Sequence, residues 1–266
     1  MIPIASRDNK NLKLIRSLRR KKGRMDSGLY FAEGMRMVQE ALTDAEDAIQ
    51  FVLVSDTFAE KNKIFINALD ENGKTVYTAR ESLFLEICNT ESPQGIGVVL
   101  RMPEFTAPDW EKSSFVLILD GIADPGNLGT MIRTAEAAGV SCVCLLKGCT
   151  DLYNPKTVRS TMGSLFRVRC LAGMQAQTLF PVLKQHGFTI AVTALKQSSP
   201  LEQVTLTGPR ALVIGSEAFG VSDAVLAYAD ARVRIPMEGK VESLNAAVAA
   251  GIAMYFLRPQ GEKEHG

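Results

Sequence analysis

The sequence predicts an α/β protein of two domains, the second built on a mainly parallel sheet, and three observations predict it. Short apolar runs alternate with helical patterns along the chain. A proline-bearing stretch of mixed polarity from Arg101 to Ser114 interrupts that alternation. The 266 residues, 46% of them apolar, suffice for one large or two ordinary cores.

The first element is an amphipathic helix from Asp8 to Arg24, in DNKNLKLIRSLRRKKGR. Leu12, Ile15 and Leu18 are spaced to face a core, while Lys13, Arg16, Arg19 and Arg20 lie outside. Gly23 is the expected stop. There follow LYFAEG, a helix from Met35 to Leu42, IQFVLVS, a helix near Glu60 to Leu69, and TVYTA before another helical stretch. Together these make a small α/β domain over residues 1–101. RMPEFTAPDWEKSS carries two prolines and reads as an extended connection, a linker over 102–113. Beyond it FVLILD, SCVCLL, FTIAVTA, ALVIG and ARVRIP are five strand-like runs, separated mostly by helical segments such as Thr130 to Ala138 and Ser243 to Leu257. That order predicts a mainly parallel sheet with helices on both faces over 114–260. The closing 261–266 reads as a frayed tail, and no internal repeat or low-complexity segment is present.

Bulk properties narrow the function. A net charge of +1 gives no whole-protein field for a polyanion, so binding to nucleic acid has to come from local clustering, as at the basic N-terminal stretch. The five cysteines (Cys88, Cys142, Cys144, Cys149 and Cys170) form no CxxC pair, and His186 and His265 match no ligand spacing. A reduced cytoplasmic protein without structural metal is expected. MIPIASRDNK has no apolar signal core, and no run approaches the ~20 apolar residues of a membrane span, so neither export nor a membrane partner is expected.

Three segments carry candidate chemistry. In Asp120-Gly-Ile-Ala-Asp-Pro-Gly-Asn-Leu-Gly-Thr-Met-Ile-Arg133 a strand end leads through Asp124-Pro125-Gly126 into a helix starting near Asn127. Asn127 reads equally well there as a helix cap, and Arg133 as a solvated residue. In ALVIGSEAFGVSD an apolar strand ends at Gly215, Glu217 brings charge, Gly220 permits close approach, and Ser222 caps the next helix. Alone, such a turn commonly does no more than turn. In RIPMEGKVESLNAAVAAGIAMYFL a polar loop passes through Ser243-Leu244-Asn245 into a helix of small residues, with Ser243 or Asn245 as a possible cap. Three polar loops after strands of one sheet can converge on a pocket, which points to a nucleotide-like ligand; the dinucleotide fingerprint GxGxxG is absent.

In this order the three segments resemble motifs 1, 2 and 3 of the SpoU (TrmH-type) branch of the SPOUT RNA methyltransferases. IASRDNKNLKLIRSL with FAEGMRMVQEAL resembles the L30e-like substrate-binding domain that precedes the catalytic domain in many members. The resemblance implies a trefoil knot in the C-terminal domain, a homodimer with active sites at the subunit interface, S-adenosylmethionine as cofactor and RNA as partner. Carried over by motif, Thr193, Gly215, Ile235 and Leu244 would surround the cofactor. Asn127, Arg133, Glu217, Ser243 and Asn245 would form the catalytic surround, with Arg133 the residue usually assigned to activating the ribose 2′-hydroxyl. Lys13, Arg16, Arg19 and Arg20 would grip RNA phosphates, or be an ordinary solvated face.

Arginine is an awkward base, since its pKa exceeds ~12. Two versions of its role stay open: a true base, or a cation that stabilises the forming alkoxide while water takes the proton. Ribosomal RNA, of the 23S type, is the expected substrate, with transfer RNA the alternative. A noncatalytic RNA-binding dimer and a nicotinamide-dependent oxidoreductase are readings of other classes; intact Arg133, Glu217 and Asn245 oppose the first, and the missing GxGxxG the second.

Overall fold

The computed structural model describes residues 1–104, 106, 108–241 and 243–259. The chain forms two compact units, one of Met1–Glu104 with Tyr153–Phe166 and one of Phe105–Leu152 with Arg167–Gly266.

The first unit begins with β1 (Ile2–Ile4), α1 (Lys10–Leu18), α2 (Lys21–Ser27), β2 (Leu29–Glu33), α3 (Met35–Asp44) and β3 (Ile49–Ser55). It continues with α4 (Asp56–Lys61), α5 (Lys63–Glu71), β4 (Val76–Ala79), α6 (Glu81–Ile87) and β5 (Ile96–Arg101). The strands form one sheet in the order β1-β4-β3-β5-β2. Strand β5 runs antiparallel to both its neighbours, β2 and β3, and is not singled out by the sequence patterning although it is buried at five of its six positions. Leu12, Ile15 and Leu18 of α1 are buried against Phe31, Phe51, Phe84 and Val99, as their spacing predicts.

The single helix expected from Asp8 to Arg24 is two. The Asn9 side chain caps α1 by accepting from the Asn11 N–H at 2.8 Å, and the helix ends at Leu18. Gly23 is not a stop but lies inside α2, where a Cβ would meet the Ser17 carbonyl oxygen at 2.2 Å. It lets the two helices approach. The stop is Gly28, in the left-handed conformation at φ 67°. The helix expected from Glu60 to Leu69 is likewise divided, at Asn62, whose φ and ψ of −123° and 37° leave the helical region while its side chain donates to the Phe58 carbonyl.

In the second unit come β6 (Phe115–Asp120), α7 (Pro125–Ala137) and β7 (Cys142–Leu146). Helix α8 (Pro155–Thr161) then counts with the first unit, where it packs on β2 and Tyr153 lies 4.8 Å from the Tyr30 ring. The second unit resumes with β8 (Cys170–Met174), α9 (Ala176–Gln185), β9 (Thr189–Thr193), β10 (Ser199–Pro200), β11 (Arg210–Gly215), α10 (Asp223–Leu226), β12 (Ala231–Arg234) and α11 (Ala246–Leu257). Its seven strands order as β10-β12-β9-β11-β6-β7-β8, every neighbouring pair parallel. All five strands expected from the sequence are present, and the short β8 and β10 extend the sheet. Strands β6, β7 and β11 are buried nearly throughout, because helical crossovers cover a parallel sheet on both faces.

Among its described residues the expected extended connection contains a 3-10 turn, Trp110–Lys112. Trp110 is buried there, edge-on to Phe188 with ring centroids 6.2 Å apart. The expected frayed tail, 261–266, lies outside the described residues. Among the described residues no helix is long and apolar enough to cross a membrane.

Candidate active site

Strands β6 and β11 are parallel neighbours in a register that sets Gly215 opposite Asp120, so the loops following both leave the sheet at the same level. The carboxyl ends of such strands are where open α/β sheets hold ligands. Ser222 stands at the cap position of α10, yet its side chain does not cap that helix. Its N–H and hydroxyl both donate to Asp120 Oδ2, at 2.8 and 2.7 Å, tying the loop after β11 back to β6.

Helix α7 starts two residues earlier than the sequence suggests. Asp124 is its cap, accepting from the Asn127 N–H at 2.8 Å, and Pro125 takes the first helical position, where a missing N–H costs nothing. The Asn127 side chain is thereby released from capping. Its Nδ2 donates to Glu217 Oε1 at 2.8 Å, and its Oδ1 accepts from Asn245 Nδ2 at 3.0 Å. Asn245 does cap α11, its Oδ1 accepting from the N–H groups of Ala247 and Val248 at 2.9 and 3.2 Å. Residues from all three sequence segments thus join in one chain of hydrogen bonds.

The chain has one direction. A carboxylate only accepts, so Asn127 must present its NH2 to Glu217, its oxygen must face Asn245, and the Asn245 oxygen is left for the helix N–H groups. Burial works to raise the Glu217 pKa, but the Asn127 amide and the backbone N–H groups of Glu217, Ala123 and Asp124 outweigh it and hold the carboxyl below its ordinary value. The group is therefore an anion at neutral pH.

Arg133 is exposed on α7, six residues beyond Asn127 and so about 240° around the helix from it. Among the described residues no hydrogen bond links it, or the exposed Ser243, to the Asn127 chain. The predicted cofactor residues gather by strand: Thr193 ends β9, Gly215 ends β11, Ile235 follows β12, and half-buried Leu244 precedes α11. The ladder between β9 and β11 stops at the pair Val192 and Val213, where Thr193 Oγ1 donates to the Val213 carbonyl at 3.1 Å. Beyond that pair the strands leave peptide groups outside their ladder. A Cβ on Gly215 would lie 2.1 Å from the Gly220 carbonyl carbon and the Val221 nitrogen, so only glycine fits. These four residues are neutral and can offer backbone donors and acceptors without burying a charge, which suits the edge of an adenine.

In the first unit the four basic candidates are only partly available. Lys13 pairs with Asp8 at 2.9 Å, Arg16 with Glu86 at 3.2 Å, and Arg19 donates from Nε to Asn89 Oδ1 at 2.8 Å. Arg20 is exposed. Sequence reading missed Asp120 and Asp124 as organisers of the loops; an acidic residue directly before proline at a helix start is the signal that marks Asp124.

An all-parallel sheet whose carboxyl-end loops are held together by the carboxylates of Asp120, Asp124 and Glu217 and the amides of Asn127 and Asn245 fits the SPOUT class of RNA methyltransferases. The sequence model of the SpoU rRNA Methylase family matches residues 114–255, that of the MRM3-like substrate binding domain matches 9–97, and the chain belongs to the SpoU rRNA Methylase family. It is 36% identical to the 23S rRNA (guanosine(2553)-2′-O)-methyltransferase RlmP of Bacillus subtilis, over 97% of this chain and 100% of that protein. The AdoMet-bound rRNA methyltransferase of Sinorhizobium meliloti superposes with a TM-score of 0.82 at 28% identity, covering 96% of each chain. AviRb of Streptomyces viridochromogenes, in complex with AdoMet, gives a TM-score of 0.82 at 25% identity over 93% of this chain and 96% of that one.

Proposed function

We propose that the protein transfers the methyl group of S-adenosylmethionine to a ribose 2′-hydroxyl of ribosomal RNA, of the 23S type. The observation that carries this reading is the Asn245–Asn127–Glu217 chain, which joins residues of the three segments that resemble the family motifs. The similarity to RlmP over the whole chain supports the substrate class.

Thr193, Gly215, Ile235 and Leu244 would hold the cofactor, whose sulfonium methyl is the electrophile when it is bound. The protein's task is to align the 2′-oxygen and manage one proton. Glu217, fixed as an anion by Asn127, orients a hydroxyl or amine donor. Arg133 supplies positive charge to the developing alkoxide, which matches its permanently cationic guanidinium better than proton abstraction does.

Because Arg133 lies off the Asn127 chain within one copy, the site is completed by a second copy in a homodimer. The exposed apolar side chains of α11, Val248 (52%), Tyr255 (46%) and Phe256 (55%), support such an interface. The partition into a substrate-binding domain at 1–101, a linker at 102–113 and a knotted catalytic domain at 114–260 belongs to the same reading, as do RNA contacts from Lys13, Arg16, Arg19 and Arg20 and a cytoplasmic location.

Purified protein is incubated with tritiated S-adenosylmethionine and separate unmodified ribosomal and transfer RNA pools, beside Arg133→Ala. Label in alkali-resistant dinucleotides from the ribosomal pool, lost in the variant, is the expected result. Label in transfer RNA alone would overturn the substrate class, and absence of cofactor binding would overturn the activity.

A further inference from the structure

Phe219 stands 93% exposed at the tip of the turn after β11, two residues from Glu217. Burial of a phenylalanine ordinarily stabilises a fold, and this ring contributes nothing of that kind. The turn that carries it is nevertheless tightly built. Ser216 and Gly220 exchange backbone hydrogen bonds at 2.9 Å in both directions, and the Phe219 N–H donates to Ser216 Oγ at 3.1 Å. Gly220 sits at φ +70°, and Gly215 has no room for a Cβ. An exposed ring on a fixed mount is pre-organised to meet something flat.

The ring borders an open groove of about 540 Å³, whose lining includes Asp120, Gly121, Asp124, Glu217 and Ser222. Among the described residues that line it are three carboxylates and no lysine or arginine. Such a groove repels phosphate and admits an uncharged part of a nucleic acid. The two features together select a nucleobase, whose face stacks on an aromatic ring in the way single-stranded RNA is commonly held.

We infer that Phe219 is a substrate-positioning residue that stacks on a nucleobase beside the reacting ribose, an inference that rests on the RNA methyltransferase reading. Stacking of one base makes a difference on the order of 10-fold in affinity. The ring touches RNA rather than the reacting atoms, so its loss falls on KM.

The test uses the full chain, S-adenosylmethionine and an unmodified 23S-type rRNA transcript, with Phe219→Ala, Phe219→Leu and Phe219→Trp. Expected are a KM for RNA raised about 10-fold in the alanine and leucine variants and restored by tryptophan, with kcat and cofactor affinity unchanged. Wild-type KM in Phe219→Ala, or full rescue by leucine, overturns the stacking role. Loss of cofactor binding would make the ring a cofactor cover, and a changed sedimentation coefficient would make it a subunit contact; either overturns the inference. Failure of the methyltransferase reading shows separately, as a wild-type protein that does not methylate the transcript.

Discussion

The Asn127 amide donates to Glu217 Oε1 at 2.8 Å, while the same amide accepts from Asn245, so one side chain reads the positions of two loops at once. Asn127→Asp removes the donor and sets a second carboxylate against the first. We expect kcat/KM for RNA to fall by roughly 100-fold, the scale of losing one positioned donor, with little change in folding. Steady-state methylation alongside thermal denaturation checks this; an active aspartate variant would remove Asn127 from the site.

The lowered pKa of Glu217 fixes the sign of a pH effect. A carboxyl held below its ordinary value adds stability that is complete above the unfolded pKa of 4.5 and is lost as pH falls through the folded value. Wild type and Glu217→Gln should therefore differ in Tm near neutrality and converge as the pH drops below about 4.5. A difference independent of pH across that window would mean that the carboxylate charge contributes nothing.

Two glycines of one turn should respond differently to alanine. At Gly215 the new Cβ strikes backbone at 2.1 Å, and a loss of about 3 kcal/mol or more is expected in urea unfolding. At Gly220 nothing lies within 4 Å, so only the left-handed φ of +70° is penalised, by about 1–2 kcal/mol. Equal effects would contradict this geometry.

Arg20 and Lys13 should separate in RNA binding. Neutralising exposed Arg20 is expected to weaken binding uniformly and to reduce the slope of log K against log salt by roughly 0.7–0.9. Lys13→Ala should change the slope less, because Asp8 competes with phosphate for the Lys13 ammonium at 2.9 Å. Filter binding over a salt series measures both, and an unchanged slope for Arg20→Ala would take this stretch out of the RNA contact.

Much of the fold is legible because parallel strands buried on both faces read as unbroken apolar runs, as FVLILD and ALVIG do. Strand β5 was passed over because GIGVVLR follows a turn-rich stretch and pairs antiparallel with strands distant in sequence. The kink before α2 was hidden for another reason: the need for glycine at position 23 comes from the Ser17 carbonyl and not from a helix end. In the site, the residue types at 127, 217 and 245 were visible through family resemblance, but their hydrogen-bond direction was not. It depends on Asp124 taking over the cap, a choice that only the three-dimensional turn reveals.

The hydrogen-bonded chain bridges 90 residues between Asn127 and Glu217, and 118 between Asn127 and Asn245. During synthesis Asn127 and Glu217 emerge well before α11, and until that helix appears the Asn127 oxygen has no Asn245 to accept from. The site is thus a late event in the life of each molecule. A chain interrupted between β11 and α11 lacks Asn245 and so cannot complete the hydrogen-bonded chain through Asn127.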